Sequence, residues 1–171
     1  MINALSHKLA VGIKSKVPDH PASIAVLQYS LSMVLNTVFI LGLSFLISLF
    51  TGRSLETLVA LAGFAALRQI SGGYHLKSGI MCILVSTAGI TAITFADFGS
   101  LVTLILNAGA LLLALVFAPS RIDRQTRIPK EYFGYLKLGS MALIVISGFV
   151  GYSVLAAAFF VQALTLIRTR R

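Results

Sequence analysis

Cysteine, acidic side chains and charge of either sign are scarce in this chain. Of its 171 residues one is cysteine, five are Asp or Glu, and only 11% are charged. A single cysteine excludes an intramolecular disulfide, and with it a stapled scaffold. So little charge beside 57% hydrophobic residues and a mean hydropathy of +0.94 excludes an ordinary soluble domain. A secretory signal peptide is not expected, because the first seventeen residues lack a continuous apolar core and a plausible cleavage site. Half-helices broken at matching positions, the mark of a transporter repeat, are not seen.

What is present is a series of apolar runs, read as one all-α, polytopic membrane bundle over residues 1–171. Met1 to Val17 places Ile2, Leu5, Leu9 and Ile13 on one side at helical spacing, with His7, Lys8, Lys14 and Ser15 away from it. This predicts an amphipathic helix lying on the membrane surface. Pro18 and Pro21, around Asp19 and His20, end it. Spans are predicted over Ile24–Phe50, Leu55–Leu67 with its flanks, Ile80–Ala96 and Leu101–Ala118. The last apolar region, Gly139–Ile167, is long for one crossing and short for two, with Gly148, Gly151 and Ser153 at its middle.

The formal net charge of +9 is concentrated in connections and at the ends. Lys8, Lys14 and Lys16, the segment near residue 75, the connection 119–138 with Arg121, Arg124, Arg127, Lys130 and Lys137, and the terminal Arg168, Arg170 and Arg171 all belong on the cytoplasmic side by the positive-inside rule. That placement requires six spans rather than five. Anionic lipid is the expected partner of these charges. Nucleic acid is not, since the basic connection interleaves no aromatics beyond Tyr132, Phe133 and Tyr135.

One polar island interrupts the apolar sequence: RQISGGYHLKSGIMC, from Arg68 to Cys82. Charges such as Arg68 and Lys77 are costly beside a bilayer and call for a reason. A cysteine thiolate is a nucleophile, and a neighbouring histidine can take its proton, which makes His75 and Cys82 a candidate pair. On one unbroken helix their seven-residue separation rises about 10 Å, so contact needs a break. Gly72 and Gly73 loosen the backbone before His75, and Ser78 can cap a new helix whose first turn carries Cys82. The same glycines can offer backbone N–H groups to an oxyanion. A metal site is not expected, because His7 and His20 lie far away in the N-terminal region. From the residues alone, Cys82 reads as a small packing residue or as a nucleophile, the first being the commoner case for a membrane cysteine, and spacing does not settle it.

Arg68, Gly73, His75 and Cys82, in the frame R-x4-G-x-H-x6-C with a second glycine at Gly72, resemble the signature of the accessory gene regulator B family of membrane cysteine endopeptidases. The resemblance extends more loosely to the amphipathic start, the paired spans around the motif and the basic connection near Pro119. It implies cleavage of a small propeptide at the cytoplasmic face of a bacterial cell membrane, with His75 and Cys82 as the catalytic pair and no cofactor. It further implies a Cys82 thioester from which a peptide cysteine can form a cyclic thiolactone, the signal of a quorum-sensing circuit. The family propeptide ends in an acidic tail, for which Arg68, Lys77 and the basic connection are candidate contacts.

Two other classes compete with this reading. A small transporter or peptide-export component would use the island to line a polar path and would tolerate Cys82→Ala. A membrane adaptor would recruit anionic partners through charge and ignore the thiol. Small residues between Gly139 and Ala158 also suit close helix contacts, and a homodimer is an expectation.

Overall fold

A computed structural model describes residues 2–74, 76, 78–122 and 128–167. Among the described residues there are seven α-helices and no β-strand: α1 (Ile2–Lys16), α2 (Ile24–Thr51), α3 (Ser54–Ser71), α4 (Gly79–Thr94), α5 (Ser100–Phe117), α6 (Phe133–Val150) and α7 (Ser153–Leu164). Ser23 caps α2 by accepting from the Val26 N–H, and Gly52 ends it in the left-handed conformation. Gly151 does the same between α6 and α7 at φ +66°, dividing the long last apolar region into two helices.

The distribution of side chains is the reverse of a water-soluble bundle. Small residues fill the interior: Ala60, Ala110, Ala114, Ala156, Ala158 and Ala163 are all fully buried. Large apolar side chains point outward, with Phe50 85% and Phe149 88% exposed. Such an exterior is stable only in contact with hydrocarbon, and an interior of alanine and serine lets helices approach closely. Three segments, Ile24–Thr51, Ser100–Phe117 and Lys130–Val150, have the length and apolar content to cross a membrane.

The shortest helix is the most enclosed. With 12 residues α7 rises about 18 Å, well under a hydrocarbon core of roughly 30 Å. It packs against α3 and α5, and more lightly against α4 and α6. Phe159 and Ala163 join Leu67 of α3, Ala114 of α5 and Ile144 of α6 in one apolar cluster, while Val154, Ala157 and Ala158 join Ala60, Ile90 and Ile93 in another.

On α1 the buried residues are Ile2, Ser6 and Ala10, one turn apart, and the helix packs along the start of α2. Leu5, Leu9 and Ile13 are left exposed, an apolar stripe beside the bundle. The basic connection is shorter than its sequence implies. Residues 130–132 form a single 3-10 turn and α6 begins at Phe133, so Lys137 is helical. The reason is that Phe133, Leu136 and Ser140 continue the helical face of the apolar sequence that follows. Asp123, Arg124, Arg127 and the terminal Arg168, Arg170 and Arg171 lie outside the described residues.

Helix direction gathers five chain segments at one end: the start of α4, the ends of α3, α5 and α7, and residues 118–122. At the opposite end the turn after α2 holds Arg53, which pairs with Glu56 at 3.8 Å, stacks over Phe95 at 4.8 Å and donates to the Thr94 carbonyl at 3.2 Å. Asp97 lies at that far end, between α4 and α5, well away from the island.

Candidate active site

The island begins where α3 ends. Gly72 closes the helix with its N–H on the Arg68 carbonyl at 2.9 Å and has φ +74°; Gly73 follows at φ +133°. Both are conformations that side-chain-bearing residues rarely adopt. Space forbids a side chain as well. A Cβ on Gly72 would overlap the Ser120 carbonyl oxygen, and one on Gly73 would overlap the Thr165 hydroxyl. The chain that causes this crowding is hydrogen-bonded to the island: Ser120 N–H donates to the Ser71 carbonyl at 2.8 Å, Gly73 N–H to the Ser120 carbonyl at 2.9 Å, and Tyr74 N–H to the Thr165 carbonyl at 2.9 Å. Residues 71–74 are thus threaded between the end of α5 and the end of α7.

Gln162 of α7 is the fully buried centre of this arrangement. Its Nε2 donates to the Gly72 carbonyl at 2.7 Å and lies 3.3 Å from the Ser71 hydroxyl. Its Oε1 accepts from Arg68 Nη1 and from the Thr165 hydroxyl, each at 3.3 Å. Arg68 donates through Nη2 to the Tyr74 carbonyl at 2.9 Å, so one guanidinium ties the last turn of α3 to the loop beyond it. Arg121, at φ +60°, places its guanidinium 5.0 Å from the Tyr74 ring centre and adds a second cation to the same end.

A new helix begins at Ser78, whose extended backbone and side chain make it the N-cap of α4: the hydroxyl accepts from Met81 N–H at 3.5 Å. Cys82 N–H donates to the Ser78 carbonyl at 2.9 Å, which fixes the cysteine in the first turn. The thiol is buried, 7% exposed, and within electrostatic reach of Arg68. The positive end of the α4 dipole lies at this sulfur. Among the described residues no three His, Cys, Asp or Glu side chains converge as a metal site would require.

Of the residues singled out in the sequence, Arg68, Gly72, Gly73 and Cys82 are brought to one end of the bundle. His75 and Lys77 lie outside the described residues. Sequence reasoning missed Gln162, Thr165, Ser120 and Asn36. A signal for Gln162 and Asn36 existed: each is a carboxamide inside an apolar helix, a placement that demands internal partners in a membrane.

The family model described as Accessory gene regulator B matches residues 6–168. A putative AgrB-like protein of Halalkalibacterium halodurans is 30% identical over 100 residues, which are 58% of this chain and 51% of that relative. The chain thus spans about half the length of the curated relative it matches. No solved structure matches it.

Proposed function

Because this chain belongs to the accessory gene regulator B family, a match that runs over 6–168, we propose that it is a membrane cysteine endopeptidase of a quorum-sensing system, with Cys82 as nucleophile and His75 as its base. The observation that carries the reading is the placement of Cys82: a buried thiol in the first turn of a freshly capped helix, under the influence of Arg68, at the end of a glycine-hinged polar loop. Burial alone would suit a packing cysteine; the capped helix start and the glycine-hinged loop are what favour a nucleophile.

In the reaction His75 takes the Cys82 proton, and Sγ attacks the scissile carbonyl carbon of a propeptide. The C–N bond breaks, the leaving amine takes the proton from His75, and a thioester remains on Cys82. The thiol of a propeptide cysteine, giving its proton to His75, then attacks the thioester carbonyl; the bond from that carbon to Cys82 Sγ breaks, forming the thiolactone and returning the Cys82 thiolate beside protonated His75. The N–H groups of Gly72 and Gly73, which the sequence offered for an oxyanion, and of Tyr74 already donate to the carbonyls of Arg68, Ser120 and Thr165, so the N–H groups that open α4 are the donors this reading uses. Arg68, Arg121 and the basic connection attract the acidic propeptide tail.

The proposed topology has six crossings, with α1 lying in the interface and the island end facing the cytoplasm of a bacterium. Charge supports it: the island end carries Lys8, Lys14, Lys16, Arg68, Arg121 and Lys130, whereas the opposite turns carry Arg53 balanced by Glu56 and Asp97. The short α4 and α7 fit this scheme because they lie against other helices rather than alone in lipid.

The test is co-expression with a candidate propeptide and mass spectrometry of the product. A cyclic peptide lacking one water relative to its linear form, absent with Cys82→Ala and His75→Ala, is the expected result. Linear product only would remove the cyclisation step. Undiminished peptide output from Cys82→Ala would remove the enzyme reading in favour of transport.

A further inference from the structure

A groove lies between α1, α2 and the first turn of α4, with a volume of about 440 Å³, within the roughly 300 to 1,000 Å³ of ligand pockets. Its lining includes Asn3, Gln28, Ser32 and Asn36, and on the α4 side Leu76 and Gly79. We propose that this groove seats an uncharged, extended stretch of the propeptide on its way to Cys82, with Asn36 binding that stretch through its main chain. The proposal rests on the protease reading above.

Three observations support it. Among the described residues the lining carries no charged side chain. Gln28 already pairs with His7 and the Asn3 carbonyl, and Ser32 donates to the Tyr29 carbonyl, so the acceptor left for a peptide N–H is the carboxamide oxygen of Asn36. Asn36 itself is only 8% exposed, and its Oδ1 has no hydrogen-bond partner among the described residues. A buried acceptor left unpaired inside an apolar helix is destabilising, and an incoming peptide N–H removes that penalty.

Position adds the third. The Asn36 carboxamide lies directly on the first residue of α4, with Oδ1 3.1 Å from where a Cβ on Gly79 would stand. A side chain at 79 would press on that amide; glycine leaves it room. The N–H groups that open α4 have no acceptor within their own helix and face the same end. Cys82 follows less than one turn later. A chain laid in the groove and held by Asn36 therefore runs toward the helix start that carries the thiol.

The experiment uses the full chain in nanodiscs of phosphatidylglycerol and phosphatidylethanolamine. Its probe is a degenerate pool of neutral acetyl-tripeptides ending in a chloromethyl ketone, whose chloride the Cys82 thiolate displaces. The readout is the rate of Cys82 alkylation by the pool divided by the rate with iodoacetamide, which needs no groove. Asn36→Leu is expected to lower this ratio about tenfold, the effect of one or two lost hydrogen bonds, with Asn36→Gln recovering most of it. An unchanged ratio in Asn36→Leu overturns the proposal.

If Asn36→Leu does not fold, the same peptides carrying a benzophenone are photocrosslinked to the wild type. Crosslinks at Asn3, Gln28 or Ser32 that free peptide competes away support the groove; crosslinks confined elsewhere overturn it. Competition by added phosphatidylglycerol alone assigns the groove to lipid and overturns it too. Groove crosslinks with a Cys82 inert to both alkylating reagents would leave the groove standing and remove the nucleophile.

Discussion

Arg68 and Gln162 stand 94 residues apart in sequence and share one hydrogen bond of 3.3 Å, from Nη1 to Oε1. Through that contact the last turn of α3 and the last turn of α7 hold the glycine loop from two sides. Replacing Gln162 with leucine keeps most of the volume and leaves the Gly72 carbonyl and one edge of the guanidinium unpaired in a buried site. The expected cost is roughly 2 to 4 kcal/mol, read as a lower midpoint of thermal unfolding by circular dichroism in detergent. Arg68→Lys should not substitute, because a single ammonium cannot reach both Gln162 and the Tyr74 carbonyl in the fork geometry seen here.

Gly73→Ala combines a strained φ with overlap on the Thr165 hydroxyl. It is expected to destabilise by about 1 to 3 kcal/mol and to abolish propeptide cleavage. Gly73→Ala with Thr165→Ala removes the overlap but not the backbone strain, so only part of the stability should return. Full recovery would show that φ at this position matters little.

The cap of α4 separates structure from reactivity. Ser78→Ala should cost about 1 kcal/mol, while Ser78→Asp keeps a capping oxygen and should unfold near the wild-type temperature. Its carboxylate nevertheless stands within a turn of Cys82 and opposes a developing negative charge. Alkylation of Cys82 by iodoacetamide should therefore be slower in Ser78→Asp than in wild type at the same pH. Equal rates would mean that the start of the helix does not influence the thiol.

Arg121 stacks on Tyr74 at the mouth of the site. Arg121→Glu is expected to weaken binding of an acidic-tailed propeptide at low ionic strength, with the deficit shrinking toward 0.5 M salt. Surface plasmon resonance on nanodiscs measures it. A salt-independent deficit would point to lost stacking instead of lost attraction.

The reversed side-chain distribution gives a prediction about the whole bundle. Ala158, fully buried against α3, should not accept leucine: overpacking of this kind costs roughly 1 to 3 kcal/mol. Phe149→Ala, at an 88% exposed position, should leave thermal stability in bilayers nearly unchanged.

Much of this fold is legible along the chain because lipid imposes a local rule: a backbone in hydrocarbon must satisfy itself, and helices follow wherever apolar runs persist. Ile24, Ser100 and Gly151 mark boundaries that glycine, serine and proline announce. Ser78 was readable as a cap from its neighbours alone, and the frame from Arg68 to Cys82 from spacing. Gln162 was not, because its partners lie on α3 and in the loop after it, and no local pattern names a partner 90 residues away. Asn36, like Gln162, showed as a carboxamide in an apolar helix, but its place beside Gly79 follows from the packing of α2 on α4, which no local pattern names. The start of α6 at Phe133 was missed because basic residues there resemble a loop, although Lys137 simply rides on the helix.

The loop between α3 and α4 is completed by α7, a helix made long after it. By the time Gly72 and Gly73 leave the ribosome, the Ser120 backbone that pairs with them and the Gln162 and Thr165 groups that hold them do not yet exist. The polar loop must therefore wait in an unfinished membrane bundle, sustained by water and headgroups, until residue 165 has been synthesised and α7 has slid into the centre. A chain interrupted before that point inserts most of its apolar surface but leaves this loop unheld, so synthesis order itself delays assembly of the site until the body around it is closed.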